Sequence, residues 1–140
     1  MVIEFNASNV LALNNYAYAL SEASKDLDKA LKMSYVSIQN EPENATYLDT
    51  YAWILFKNKD YINAEKYMKK ALEFAKDDNV EEIVVLEEHY GDIQAMLGNI
   101  DEAIIYWNKA LARDSQKEDR KEILKKKIEE KKYIEDDVKK

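Results

Sequence analysis

A short apolar pattern returns along this chain at nearly constant spacing, and that recurrence restricts the fold more than any other feature. Leu13-x-x-Tyr16-Ala17-x-x-Leu20 reappears 35 residues on as Leu48-x-x-Tyr51-Ala52-x-x-Leu55, and Tyr90-Gly91 continues the series 39 residues further. A second set follows each of these: Ala30, Ala64 and Ala103, with Ser34, Met68 and Trp107 four residues later. Steps of three and four place side chains on one face of a helix. Units repeating at this spacing cannot bury an apolar face alone, so they must stack.

The breaks divide the pattern into helices. Pro42 with Asn40 and Asn44, Gly98-Asn99, Asp77-Asp78-Asn79, Ser24-Lys25-Asp26, Asn58-Lys59-Asp60 and Arg113-Asp114-Ser115 are polar or helix-breaking steps between periodic stretches. Six helices of about 12–18 residues result, and their short connections make them three antiparallel hairpins. The first hairpin turn carries about one extra residue near Lys25, and the connection through Asp77 and Asp78 is about five longer than a minimal one.

These residues resemble the tetratricopeptide repeat, a helix-turn-helix of about 34 residues with the form W-x2-L-G-x2-Y…A-x3-F…P. Ala17, Ala52 and Gly91 hold the small position of the first helix, and Ala30, Ala64 and Ala103 that of the second. Ser37, Ala71 and Ala110 supply the next small side chain, and Pro42 falls where the family has its terminal proline. Three departures are expected to loosen individual repeats: Glu87 where a tryptophan would open the third, Ser34 for a bulky aromatic, and Gln94 for a large apolar residue. The resemblance implies an all-α solenoid of three hairpins at about 10–42, 44–77 and 82–114, closed by a C-terminal capping helix. Residues 1–114 form the array and 115–140 the cap and a frayed tail. The strings LNNYAYALSE, YLDTYAWILFK and EHYGDI also resemble C-terminal repeats of large bacterial multi-repeat proteins, which suggests an excised fragment.

Composition excludes most chemistry. Two glycines cannot form a dinucleotide or phosphate loop, the absence of cysteine removes thiolate metal sites and nucleophiles, and a lone His89 cannot form a two-histidine site. Three residues before His89 stands Leu86, so the Glu-x-x-His spacing of di-iron sites fails as well. No cofactor, no metal and no catalytic residue is expected. No apolar run reaches membrane-spanning length, and Met1–Phe5 has no signal-peptide character; the compartment stays open between the cytoplasm and, if the chain is a fragment of a larger lipoprotein, the envelope. Residues 1–114 carry 11 basic against 20 acidic residues and 115–140 carry 10 against 8. An acidic body repels nucleic acid, which leaves a protein or peptide partner.

The seventh helix is expected over 117–136, with Ile123, Leu124, Ile128, Ile134 and Val138 as a thin apolar stripe. Two heptads are short for a coiled coil, so a monomer is expected rather than a dimer. His89 reads as a partly exposed helix histidine, and Glu88 with Asp92 as a solvated acidic face or a peptide contact. Asp77-Asp78-Asn79 lacks the glycine and spacing of a calcium loop and reads as a loop before an acidic helix start.

By the resemblance, first helices line a concave face. The candidate binding groove there is Asn14 and Tyr18 from the first repeat, Asp49, Trp53 and Phe56 from the second, and Glu88 and Asp92 from the third. It combines aromatic anchors with carboxylates, a setting for a basic or apolar segment. Family members that grip acidic tails use basic residues on this face. Here Asp49, Glu88 and Asp92 would repel a terminal carboxylate. Trp53 and Phe56 could equally pack between repeats, and their exposure decides between the two. The alternative function is a structural end cap of a longer scaffold.

Overall fold

The computed structural model describes residues 7–113 and 117–135, and every regular element among them is a helix. In chain order these are α1 (Ala7–Glu22), α2 (Leu27–Asn40), α3 (Ala45–Lys57), α4 (Tyr61–Phe74), α5 (Val80–Met96), α6 (Ile100–Leu111) and α7 (Glu118–Glu130). The pairs α1/α2, α3/α4 and α5/α6 pack as hairpins, each hairpin stacks on the next, and α7 packs on α6. The first helices α1, α3 and α5 also touch in succession, forming one face of the array.

Close helix crossing explains the small residues. Ala17, Ala30, Ala52, Ala64 and Ala103 are all fully buried where paired helices meet. Gly91 is the tightest case: a Cβ there would lie 2.5 Å from Trp107 Cδ1 and 3.1 Å from the Ala103 carbonyl oxygen. The third hairpin is therefore smaller on α5 where Trp107 is larger on α6.

The three hairpin turns share one hydrogen-bond pattern. Lys25, Asp60 and Asn99 donate backbone N–H bonds to the carbonyls of Leu20, Leu55 and Gln94 at 2.9, 2.8 and 2.8 Å. The residue before each, Ser24, Lys59 or Gly98, is left-handed, at φ 53°, 67° and 89°. This bond and this backbone conformation form the Schellman termination of a helix. In the second and third turns the donor also stands at the N-cap position of the next helix; the first inserts Asp26 there, which is the extra residue expected near Lys25. Side chains of Asn44, Asp60 and Asn79 accept bonds from the N–H groups of Tyr47, Asn63 and Glu82, fixing where α3, α4 and α5 begin.

Two expectations are corrected. The departures from the motif do not all loosen their repeats: Glu87 takes a two-bond grip from Arg113 at 2.8 and 2.9 Å, and Gln94 donates to Glu65 and accepts from Asn99. Ser34 is buried, and its hydroxyl has no partner among the described residues. The seventh helix stops at Glu130 rather than near 136, because Lys131 turns left-handed at φ 58° and Lys132 N–H bonds back to the Lys127 carbonyl. The expected fraying of 136–140, with Val138, lies outside the described residues. Leu124 is buried, and Ile128 packs with it against Trp107 and Ala110, so α7 covers the last apolar surface.

Left-handed backbone favours glycine, so Gly98→Ala should destabilise the chain by about 1 kcal/mol and Lys59→Gly should stabilise it by a similar or smaller amount. Urea unfolding midpoints followed by circular dichroism check both. Gly91→Ala should cost about 1–3 kcal/mol, because Trp107 must move to admit the methyl group.

Candidate functional site

The repeat spacing puts Asn14, Asp49 and Glu88 at equivalent positions of α1, α3 and α5, and Tyr18, Trp53 and Asp92 one turn later. They lie on the face where the first helices meet, but the structure treats them differently along its length.

At the third repeat the acids are enclosed by the C-terminal helix. Lys127 reaches in from α7 and donates to Glu88 at 2.6 Å and Asp92 at 2.9 Å, and its side chain is 1% exposed. Arg120 adds a bond to Glu88 at 2.7 Å, and Trp107 Nε1 donates to Asp92 at 3.0 Å. Glu88 and Asp92 are thus neither a solvated face nor open to a basic ligand. Burial works against the Glu88 carboxylate, yet Lys127 and Arg120 outweigh it and hold its pKa below the ordinary range. Asp92 is more deeply enclosed and shares its cation, so burial dominates and pushes it up to about 6.

At the second repeat the aromatic residues form a stack. Phe56 and Trp53 lie face to face at 4.5 Å, and His89 covers Trp53 at 3.8 Å, 13° from parallel. His89 Nδ1 is 2.7 Å from Asp49 Oδ1, and Trp53 Nε1 donates to Glu22 at 3.0 Å. His89 is therefore a buried member of the site, not a partly exposed one. Burial disfavours its imidazolium, but Asp49, with Asp92 and Glu88 behind it, more than offsets this and raises its pKa. Trp53 and Phe56 are only 5% and 4% exposed. Beyond α7 the chain doubles back, placing Tyr133 edge-on against Phe56 at 5.1 Å and Glu135 at 3.8 Å from Lys57.

At the first repeat the face stays open. A cavity of about 590 Å³ is lined by Asn14, Tyr18, Thr46, Asp49, Glu81 and Val85, among others, with no lysine or arginine in its wall. An adjoining cavity of about 580 Å³ shares Tyr18, Glu81 and Val85 and extends past Trp53 to Lys127 and Tyr133. Of the seven groove residues expected, Asn14, Tyr18 and Asp49 line the first cavity, with Asn14 and Asp49 largely buried in its wall; Trp53, Glu88 and Asp92 line the second, where α7 engages both acids; and Phe56 packs against Tyr133. Sequence reasoning missed His89, Arg120, Lys127 and Tyr133. The signal available was the cationic run 125–127, two helices after an acidic pair.

Among the described residues no three side chains of His, Asp or Glu gather closely enough to hold a metal ion, and no helix is long and apolar enough to cross a membrane.

Stacked hairpins of this geometry, with a groove along their first helices, define a helical-repeat solenoid of the kind that presents a concave face. The tetratricopeptide repeat model matches residues 45–78, the whole second hairpin. A tetratricopeptide repeat-containing protein of Methanocaldococcus jannaschii is 32% identical over 108 residues, 77% of this chain and 18% of that protein. The chain thus spans less than a fifth of that relative, which is archaeal where the strings above suggested bacteria. The fold also matches the N-terminal domain of stress-induced protein-1 from C. elegans, with TM-score 0.67 and 20% identity over 91% of this chain and 98% of that one. The Arabidopsis OM64 TPR domain matches with TM-score 0.68 and 19% identity, over 86% of this chain and 94% of that one. This chain is a protein of the tetratricopeptide-repeat family.

Removing the buried cation leaves two enclosed carboxylates without it, so Lys127→Ala should cost about 3–5 kcal/mol in urea unfolding. The triple change Glu88→Gln, Asp92→Asn, Lys127→Met should recover most of that loss. The folded pKa of His89 is raised above its ordinary 6.5, so its pairing stabilises the fold fully below that pH and is lost as pH rises through the raised value. Asp92 acts in the same sense lower down, removing stability as pH rises from 3.8 to about 6. Unfolding midpoints should therefore fall as pH is raised above 6.5, and the slope there should flatten in Asp49→Asn.

Proposed function

We propose that the chain is a non-catalytic protein-interaction module whose open concave face, from Asn14 to Trp53, holds an extended segment of a partner protein. Tetratricopeptide repeats suggest protein–protein interaction and are typically non-enzymatic. The observation that carries the reading here is the pair of adjoining cavities sharing Tyr18, Glu81 and Val85. Val85 is 41% exposed on that shared wall, an apolar contact without cover. The first cavity offers an apolar edge flanked by carboxylates with no basic residue in its wall, which suits a basic or apolar segment rather than an acidic tail; the basic residues of the second, Lys57, Lys117, Arg120 and Lys127, stand beyond Trp53. The proposed site takes the Asn14-to-Trp53 side of these cavities and not the α7 wall of the second, where Arg120 and Lys127 are engaged with Glu88 and Asp92.

The alternative is a structural end cap of a longer scaffold without a ligand of its own. It draws on α7, whose buried Leu124 seals the last hairpin beneath a surface dense in lysine and glutamate, and on the 18% share of the archaeal relative.

Selection of random dodecapeptides on the immobilised 140-residue chain separates the two. Binding peptides should carry lysine or arginine beside apolar residues, and Tyr18→Ala and Val85→Glu should each weaken them about tenfold or more. A selection that yields no binder favours the end cap. Binders indifferent to both substitutions would remove the site from this face.

A further inference from the structure

The three equivalent polar positions on the concave face form a row in which the acids are met by a nitrogen-bearing side chain from the second helix on along the chain. Asp49 of α3 is met by His89 of α5, and Glu88 of α5 is met by Arg120 and Lys127 of α7. Asn14 of α1 is the first member. At the place of His89, α3 offers Thr50, whose hydroxyl donates instead to the Thr46 carbonyl at 3.1 Å. Asn14 is 3% exposed, and its Oδ1 has no hydrogen-bond partner among the described residues. A buried acceptor without a donor is uncommon and costs free energy, so a row completed twice and left open once points to what is missing.

The surroundings specify the charge of that missing group. The cavity beside Asn14 has Asp49, Glu81 and Glu82 in its wall and no basic residue. Glu82 is engaged by the Thr46 hydroxyl, and Asp49 Oδ1 by His89, which stacks on Trp53. A positively charged donor entering here would meet acidic groups and an unfilled amide oxygen, which are the features that favour charge-assisted hydrogen bonds. Tyr18 and Val85 give the aliphatic stem of such a side chain an apolar wall.

We propose that this pocket, between Asn14, Asp49 and Glu81, receives a single lysine or arginine side chain of the partner segment. The inference rests on the concave-face reading above and names the side chain that the face selects. It makes the partner's cation the counterpart of the chain's own Lys127, two helix pairs away along the row.

The test uses the full chain labelled with ¹⁵N and two small probes, N-acetyl-lysine methylamide and N-acetyl-norleucine methylamide, which differ in charge alone to first order. The lysine probe should shift the Asn14 side-chain amide and the Thr50 and Val85 backbone resonances saturably, with at least about tenfold tighter binding than norleucine. The preference should vanish in Asn14→Lys, which fills the position from within. Because Asn14 is buried and that variant could fail to fold, Glu81→Lys, on an exposed side chain, gives the same reading without touching the core. Equal response to the two probes, or a lysine preference unchanged in Glu81→Lys, would overturn the pocket. Selected dodecapeptides that depend on Tyr18 and Val85 but lack lysine and arginine would also sink the pocket, while leaving the concave-face reading in place.

Discussion

The ammonium group of Lys127, held between Glu88 and Asp92 with almost no access to water, ties the last helix to the array. Two enclosed carboxylates on successive turns of α5 would repel each other, and a lone buried lysine would be costly. Each is tolerable only because the other is present. The pairing also sets the register of α7: Lys127 in this position brings Leu124 over Trp107 and carries Tyr133 back to Phe56. The charge balance of the concave face follows from it, with Glu88 and Asp92 matched by Lys127 at one end and no basic residue in the cavity wall beside Asn14 at the other.

Much of the fold was legible because its determinants are local. The crossing residues, from Ala17 to Ala103, are small for a steric reason that a repeat spacing exposes, and the turn residues Ser24, Lys59 and Gly98 stand at one repeat position. The site was less legible. Its row of Asn14, Asp49 and Glu88 could be aligned from spacing alone, but the cationic partners of Glu88 and Asp92 lie 32 to 39 residues away on a helix outside the repeat pattern. The sequence of α7 shows many lysines, and nothing in its periodicity distinguishes Lys127 from Lys125 or Lys126. Only the packing of Leu124 turns that one inward. His89 was misjudged for a similar reason, since its stacking on Trp53 depends on how two repeats are juxtaposed.

The departures from the family pattern show how a repeat tolerates substitution. Glu87 and Gln94 replace apolar residues, and both are buried, but each brings hydrogen-bond partners that its position requires. Arg113, Glu65 and Asn99 are thus part of the same substitutions in a physical sense. The third hairpin exchanges some apolar contact for a polar network, and with Gly91 under Trp107 it becomes the most specifically fitted of the three. Such networks favour one arrangement over near alternatives, because a slipped register would leave several groups unpaired at once.

The stack of Phe56, Trp53 and His89 has an optical consequence. The chain holds two tryptophans, and only Trp53 lies face to face with an imidazole. A protonated imidazole in contact with an indole drains its excited state, so the emission of Trp53 reports the charge on His89 without any added label. The fluorescence of the unmodified chain therefore follows events at the edge of its own concave face.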